Sequence, residues 1–204
     1  MTEAGAWTYV VTDIEVDGPR PGANSMRSFA SVATSTDGRT LGEFEAVLEP
    51  LPGAAPDPRT RAWFDSEPGA WEAATADPDP VADVMAHYVD WIRSLPGPRA
   101  FAAAPLSFDG TWMDYYLRRF TTYVLHQGPY EEDRLFDGPA LCLRSYTAAL
   151  TGRAPADLPA NQLPGHWLGD VEHTHQAIDD ARGFAHLLRF LHRSAGAPVI
   201  PLEL

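Results

Sequence analysis

Three groups of side chains have the types and spacing for metal or phosphate chemistry. Asp13 and Glu15 stand two residues apart near the end of a run rich in β-branched and aromatic residues, Trp7 to Val16. Such a run fits a pleated strand, and its period of two puts both carboxylates on one face of the sheet. Carboxylates so close repel each other. A hard divalent cation such as Mg²⁺, which takes oxygen ligands, cancels that repulsion, although a solvated strand edge in an acidic protein would also tolerate the pair. Asp109 follows a short apolar run and opens an amphipathic segment, where a carboxylate complements the helix dipole and an N-cap is its ordinary role. His175 and Asp180 lie five apart in the run His173-Thr174-His175-Gln176-Ala177-Ile178-Asp179-Asp180-Ala181, which opens the last helical segment. An imidazole, with a free pKa near 6.5, suits general-base chemistry around neutrality; a surface or capping histidine is the plain alternative.

The elements that must position these groups follow from the periodicity. Trp7 to Val16 reads as the first strand, Met26 to Thr34 as the second and Thr40 to Leu48 as the third, with short connections that predict an antiparallel meander. After the Pro-rich stretch Leu51 to Pro58 the period changes to 3.6, with a short helix around Arg59 to Phe64. A long helix over Pro80 to Leu95 carries Val81, Val84, Met85, Tyr88, Val89, Ile92 and Leu95 at helical spacing, and Pro96-Gly97-Pro98 stops it. Arg99 to Ala104 predicts a fourth strand, Gly110 to Leu125 a helix, Ala140 to Leu143 a fifth strand and Ser145 to Leu150 a short helix. Gly152 to Asp170 reads as a loop and Ala177 to His192 as the closing helix. Three antiparallel strands followed by crossovers imply an α/β fold, a mixed five-stranded sheet flanked by helices. Ala177 and Ala181 are small enough to let the closing helix approach its neighbour.

Composition bounds the function. The 204 residues are 45% hydrophobic and 21% charged, with six Trp, 19 Pro and 16 Gly, which suits one packed domain over 1–204 with rigid loops. The single cysteine, Cys142, cannot form an internal disulfide and reads as a buried strand thiol, so a reducing, cytoplasmic setting is expected. No basic leader and no span of about 18 apolar residues is present, which predicts no membrane partner. All 15 basic residues are Arg, and the formal net charge of −13 leaves no broad basic face to grip duplex DNA. Nucleic acid would have to be held locally or through metal ions.

Taken together, Asp-x-Glu on the first strand, Asp after the fourth and His-x4-Asp on the last helix resemble the three exonuclease motifs of the DEDDh branch of the DnaQ-like 3′-to-5′ exonucleases, which have an RNase H-like fold. The matching positions are Asp13 and Glu15, Asp109, and His175 with Asp180, and Ala177 and Ala181 complete a His-x-Ala-x-x-Asp-Ala pattern. The motifs span residues 13 to 181. The resemblance implies a metal-dependent 3′-to-5′ exonuclease that releases nucleoside monophosphates from the 3′ end of single-stranded RNA or DNA, short oligonucleotides included, and it leaves a homodimer open. It implies two divalent ions, Mg²⁺ or Mn²⁺, held by Asp13, Glu15, Asp109 and Asp180. Two such ions about 3.5–4 Å apart stabilise the attacking and leaving oxygens of an in-line displacement, with His175 as the base.

Two departures bear on substrate. Many members continue the first motif with Thr-Thr-Gly, where this chain has Val16-Asp17-Gly18; the second motif often reads His-Asn-x-x-Phe-Asp, where this chain has Ala104-Pro105-Leu106-Ser107-Phe108-Asp109. The Pro-rich insertion near residues 50–80 and the Gly165-His166-Trp167 segment resemble a bacterial subgroup. Trp112, Tyr115, Tyr116 and Trp167 are candidates for base stacking, although helical spacing assigns Trp112 and Tyr116 to the core. Arg118, Arg119, Arg182 and Arg189 are candidates for phosphate contacts, against the simpler reading of a solvated helix face. The altered second motif also admits a catalytically impaired nucleic-acid-binding or partner-binding module with the same fold. A mononuclear zinc hydrolase built on His173, His175 and Asp180 is a further rival, and it would need a loop, because residues two apart on a helix do not share a face.

Overall fold

The computed structural model describes residues 6–126, 128, 133–158 and 163–195. Five strands, β1 (Thr8–Val16), β2 (Met26–Ser35), β3 (Thr40–Val47), β4 (Arg99–Ala103) and β5 (Leu141–Cys142), form one sheet in the order β3-β2-β1-β4-β5. β1 pairs antiparallel with β2, and β2 with β3; β1 pairs parallel with β4, and β4 with β5. The expected mixed five-stranded RNase H-like sheet is therefore present. Among the described residues six helices accompany it: α1 (Pro58–Phe64), α2 (Ala70–Thr75), α3 (Val81–Ser94), α4 (Leu106–Phe120), α5 (Leu143–Thr151) and α6 (Ala177–Ser194).

The pleat separates two cores. Val10 and Ile14 of β1, with Phe29, Ala33, Phe101 and Ala103, face the apolar side chains of α3 and α4. Val11, Ala30, Val32 and Ala102 face the other way, against Ala181, Leu187, Leu188 and Leu191 of α6. Asp13 and Glu15 share the parity of Val11 and so lie on the α6 face. Behind them, Thr12 Oγ1 and Ser31 Oγ are 2.7 Å apart and Ser31 Oγ and the Tyr88 hydroxyl 2.9 Å apart, all buried. This polar chain ties the central strands to α3 exactly where the opposite face carries a carboxylate.

Several boundaries differ from the sequence expectation. The helix expected from Gly110 begins at Leu106, because Pro105 serves as its N-cap residue, and it ends at Phe120, where Thr121 turns extended. Helix α2 is additional: Gly69, with φ of 81°, adopts the left-handed conformation that starts it. The fifth strand shrinks to two residues, and Cys142, its last residue and the N-cap of α5, is half-buried rather than buried. Two 3₁₀ turns, Pro155–Asp157 and Gly165–Trp167, occupy the expected 152–170 loop, of which 159–162 lie outside the described residues. Among the described residues no helix is long and apolar enough to cross a membrane.

Candidate active site

Helix α6 brings the third acidic group to β1. Ala177 and Ala181 are 4% and 0% exposed, so the first turns of α6 lie close on the sheet with no large side chain to hold them off. Asp180, in the first turn, is buried, and its carboxylate lies with those of Asp13 and Glu15 such that one oxygen from each falls within 4.8 Å of the others. Asp109 approaches from α4, also in a first turn. It is not the N-cap expected from its position: with the helix starting three residues earlier, the side chain turns inward, is 4% exposed, and its Oδ2 has no hydrogen-bond partner.

Asp13, Glu15 and Asp109 resist ionisation. Burial pushes the Asp13 carboxyl well above the usual range, and Asp109, Glu15 and Asp180 add to the shift. Glu15 is pushed up to about 8, first by burial and then by Asp180 and Asp109. Asp109 is pushed up to about 8 by burial, against a lowering contribution from the Ala104 N–H. An all-oxygen donor set with an orphaned buried oxygen and suppressed ionisation is what hard divalent cations relieve, and these residues fit such ions.

The two histidines precede α6, whose N-cap is Gln176. His173 Nδ1 is 2.5 Å from Asp180 Oδ1, and this contact raises the His173 pKa, with Glu67 adding to it against burial. His175 adopts a φ of 56° as the chain turns into the helix, a conformation in which His is enriched among non-glycine residues. Its Nε2 is 3.9 Å from Glu67 Oε2, and its ring meets Trp63 edge-on at 4.9 Å between centroids. One ligand atom from each of His173, His175 and Asp180 falls within 4.8 Å of the others. The structure thus gathers Asp13, Glu15 and His175 about Asp180, with Asp109 felt by Asp13 and Glu15 through its charge, and it meets the loop condition that the zinc set required.

A groove of about 210 Å³ runs beside Asp13, lined also by Pro105, Arg144, Leu163 and Phe184. Arg144 was not singled out from the sequence; its placement follows from lying just past β5, at the carboxyl ends of the parallel strands where α/β sheets receive ligands. The four arginines proposed for phosphate are engaged elsewhere. Arg118 pairs with Asp114 at 2.6 Å, Arg119 with the Tyr115 hydroxyl, Arg182 with both oxygens of Glu43, and Arg189 with Gly38 and His186. Among the stacking candidates, Trp112, Tyr116 and Trp167 are buried, and Tyr116 accepts the Met26 N–H at 2.8 Å. Among the described residues the exposed large apolar side chains are instead Trp63 and Phe108, each 39% exposed, one against His175 and the other next to Asp109 in sequence.

No family model matches the chain, and no curated protein matches it. Solved structures do. The nuclease domain of 3′hExo, a DEDDh family member bound to rAMP, superposes with a TM-score of 0.60 at 12% identity over 100% of this chain and 98% of that one. The chain has the fold of the DEDDh exonucleases. E. coli exonuclease I in its zinc-bound complex with single-stranded DNA superposes with a TM-score of 0.62 at 16% identity, covering 94% of this chain and 41% of that one. The same enzyme with a dA16 oligonucleotide gives 0.62 at 17%, over 91% and 42%. This chain therefore spans about two fifths of exonuclease I but nearly all of the 3′hExo nuclease domain.

On that DEDDh fold the departure after the first motif has a structural reason. Asp17 is 1% exposed, its Oδ1 accepts the Ser25 N–H at 2.6 Å and its Oδ2 is 4.0 Å from Arg27 Nη1, while Val16 is buried. Both side chains serve the β1–β2 connection and neither reaches the groove surface.

Proposed function

We propose that this chain is a metal-dependent 3′-to-5′ exonuclease that removes nucleoside monophosphates from single-stranded nucleic acid. The observation that carries the reading is the convergence of Asp13, Glu15 and Asp180 within 4.8 Å, together with Asp109, whose buried Oδ2 has no partner, and with a His175 ring nitrogen within 4.8 Å of the Asp180 carboxylate. The single-stranded ligands of exonuclease I and the rAMP of 3′hExo support this substrate class.

Asp13, Glu15, Asp109 and Asp180 would hold two divalent ions, Mg²⁺ or Mn²⁺, which supply Lewis-acid stabilisation of the charge that builds on the phosphoryl oxygens. His175 accepts the proton of the attacking water at a ring nitrogen as the water oxygen bonds to phosphorus; the P–O3′ bond breaks, O3′ of the shortened strand takes a proton from solvent water, and the terminal nucleotide leaves as a 5′-monophosphate. Arg144 contacts phosphate in the groove, and Trp63 and Phe108 offer faces for terminal bases, a sequence-tolerant way to hold single strands. A formal net charge of −13 favours few phosphate contacts and short strands over long tracts.

The test is hydrolysis of matched 5′-labelled single-stranded RNA and DNA oligonucleotides with Mg²⁺, Mn²⁺ or EDTA. The expected result is a metal-dependent ladder that shortens from the 3′ end and is lost in His175→Ala and Asp13→Ala. No cleavage of either strand by the folded protein under any metal overturns the reading and leaves a binding module.

A further inference from the structure

Asp180 belongs to two donor sets of different chemistry. One is all oxygen, with Asp13 and Glu15; the other mixes two imidazoles with the same carboxylate, His173 and His175. The second set is not part of the three-motif pattern, because His173 lies outside it. Its members lie on a loop and the first turn after it, with the His173 and His175 rings 4.4 Å apart between centroids and inclined by 67°. The His173 side chain is 45% exposed and that of His175 24%, so an ion reaches both from solvent, while Asp180, 4% exposed, anchors the floor.

We propose that His173, His175 and Asp180 form a zinc site whose occupancy switches the protein off. Imidazole nitrogen and carboxylate oxygen are zinc ligands, bound at about 2.0–2.2 Å, and tetrahedral angles then put ligand atoms roughly 3.4 Å apart. The donor atoms lie within 4.8 Å of one another, and the direct His173 Nδ1–Asp180 Oδ1 contact of 2.5 Å would open to admit the ion between them. Three protein ligands leave the fourth position to water. Mg²⁺ does not compete well here, since it prefers an octahedron of oxygens to a nitrogen-rich set. Glu67, 3.9 Å from His175 Nε2, adds negative charge beside the cation.

The consequence follows from shared residues. Zinc held this way occupies the imidazole assigned as base and turns Asp180 from the oxygen set, so neither serves hydrolysis; this inhibitory part rests on the exonuclease reading, whereas zinc binding does not. The binding test is competition for Zn²⁺ against a chromophoric chelator, without nucleic acid, and visible absorption of the Co²⁺-loaded protein. Wild type is expected to bind one ion tightly with a tetrahedral Co²⁺ spectrum. His173→Gln and His175→Gln, each losing one of three protein ligands, weaken binding roughly tenfold or more and lose that spectrum; Asp13→Asn keeps both. Equal zinc affinity in wild type and His173→Gln, or a loss in Asp13→Asn as large as in His173→Gln, overturns the site and places zinc on the carboxylates. Thermal melts without metal confirm that each variant is folded. If the protein cleaves oligonucleotides, Zn²⁺ inhibition measured against each protein's own Mg²⁺ rate is expected to weaken by the same factor in His173→Gln. Unchanged inhibition there, with zinc binding lost, overturns the switch but not the site.

Discussion

Asp109 concentrates the conflict between stability and chemistry in this molecule. Its buried Oδ2 has no partner and its carboxyl is pushed up to about 8, so without metal the folded chain bears a desolvated acid beside other acids. Asp109→Asn keeps the shape and removes the charge. It is expected to stabilise the metal-free protein at pH 8 by about 1 kcal/mol, a rise of roughly 2–4 °C in Tm for a chain of this size, while abolishing metal-dependent hydrolysis. A thermal melt and an oligonucleotide assay on one preparation check both; a destabilised variant would show that the carboxylate is satisfied without metal. Trp63 carries the opposite expectation. Being 39% exposed and against His175, it contributes little to the core, so Trp63→Ala leaves Tm unchanged and weakens oligonucleotide binding by about 1 kcal/mol, roughly fivefold in Kd, as loss of one stacking face does. An unchanged Kd removes it from the substrate path.

At the scale of elements, what was legible in the sequence is what local chemistry decides. The period of two over Trp7 to Val16 foretold that Asp13 and Glu15 share a face, and the small residues Ala177 and Ala181 foretold a closely docked last helix. Both hold because a strand's parity and a helix's thickness need no knowledge of distant chain. The start of α4 was misplaced by four residues because Pro105 caps it with backbone geometry and no side-chain hydrogen bond, leaving no Ser, Thr or Asn signal. Trp63, Glu67 and Arg144 were missed for a different reason: each reaches the site only through tertiary packing of segments with no motif. Close docking of α6 is itself testable. Ala181 is fully buried, and Ala181→Leu overpacks the contact with β1, with an expected cost of about 1–3 kcal/mol. Because Asp180 is the adjacent residue, the same variant is expected to bind Mn²⁺ more weakly by calorimetry. A stability loss with intact Mn²⁺ affinity would mean that the carboxylate cluster adjusts independently of the helix.

For the whole molecule, metal, pH and folding are linked through one sum of charges. Glu15 and Asp109 ionise near their ordinary acidic values when unfolded but hold protons to about 8 when folded. Between roughly pH 4.5 and 8 the folded chain therefore binds more protons than the unfolded one, and stability falls as pH rises through that window. His173 acts in the same direction: its pKa is raised in the fold, so its stabilisation is complete below the unfolded value and fades as pH climbs past the folded one. Asp114 and Glu43, lowered by Arg118 and Arg182 despite partial burial, oppose this only at the acid end, where they protonate. Metal-free protein is thus expected to melt highest on the acidic side of neutrality. Divalent ions reverse the trend, since they need the carboxylates ionised and bring four positive charges, as a pair, to a chain of formal charge −13. The increment in Tm from Mg²⁺ or Mn²⁺ is expected to grow from pH 6 to pH 8 and to be lost in Asp13→Asn. Melts across that range, with and without metal, decide the point. A metal increment independent of pH would mean that Asp13, Glu15 and Asp109 are already ionised in the metal-free protein, and that their mutual repulsion is met by something other than protons.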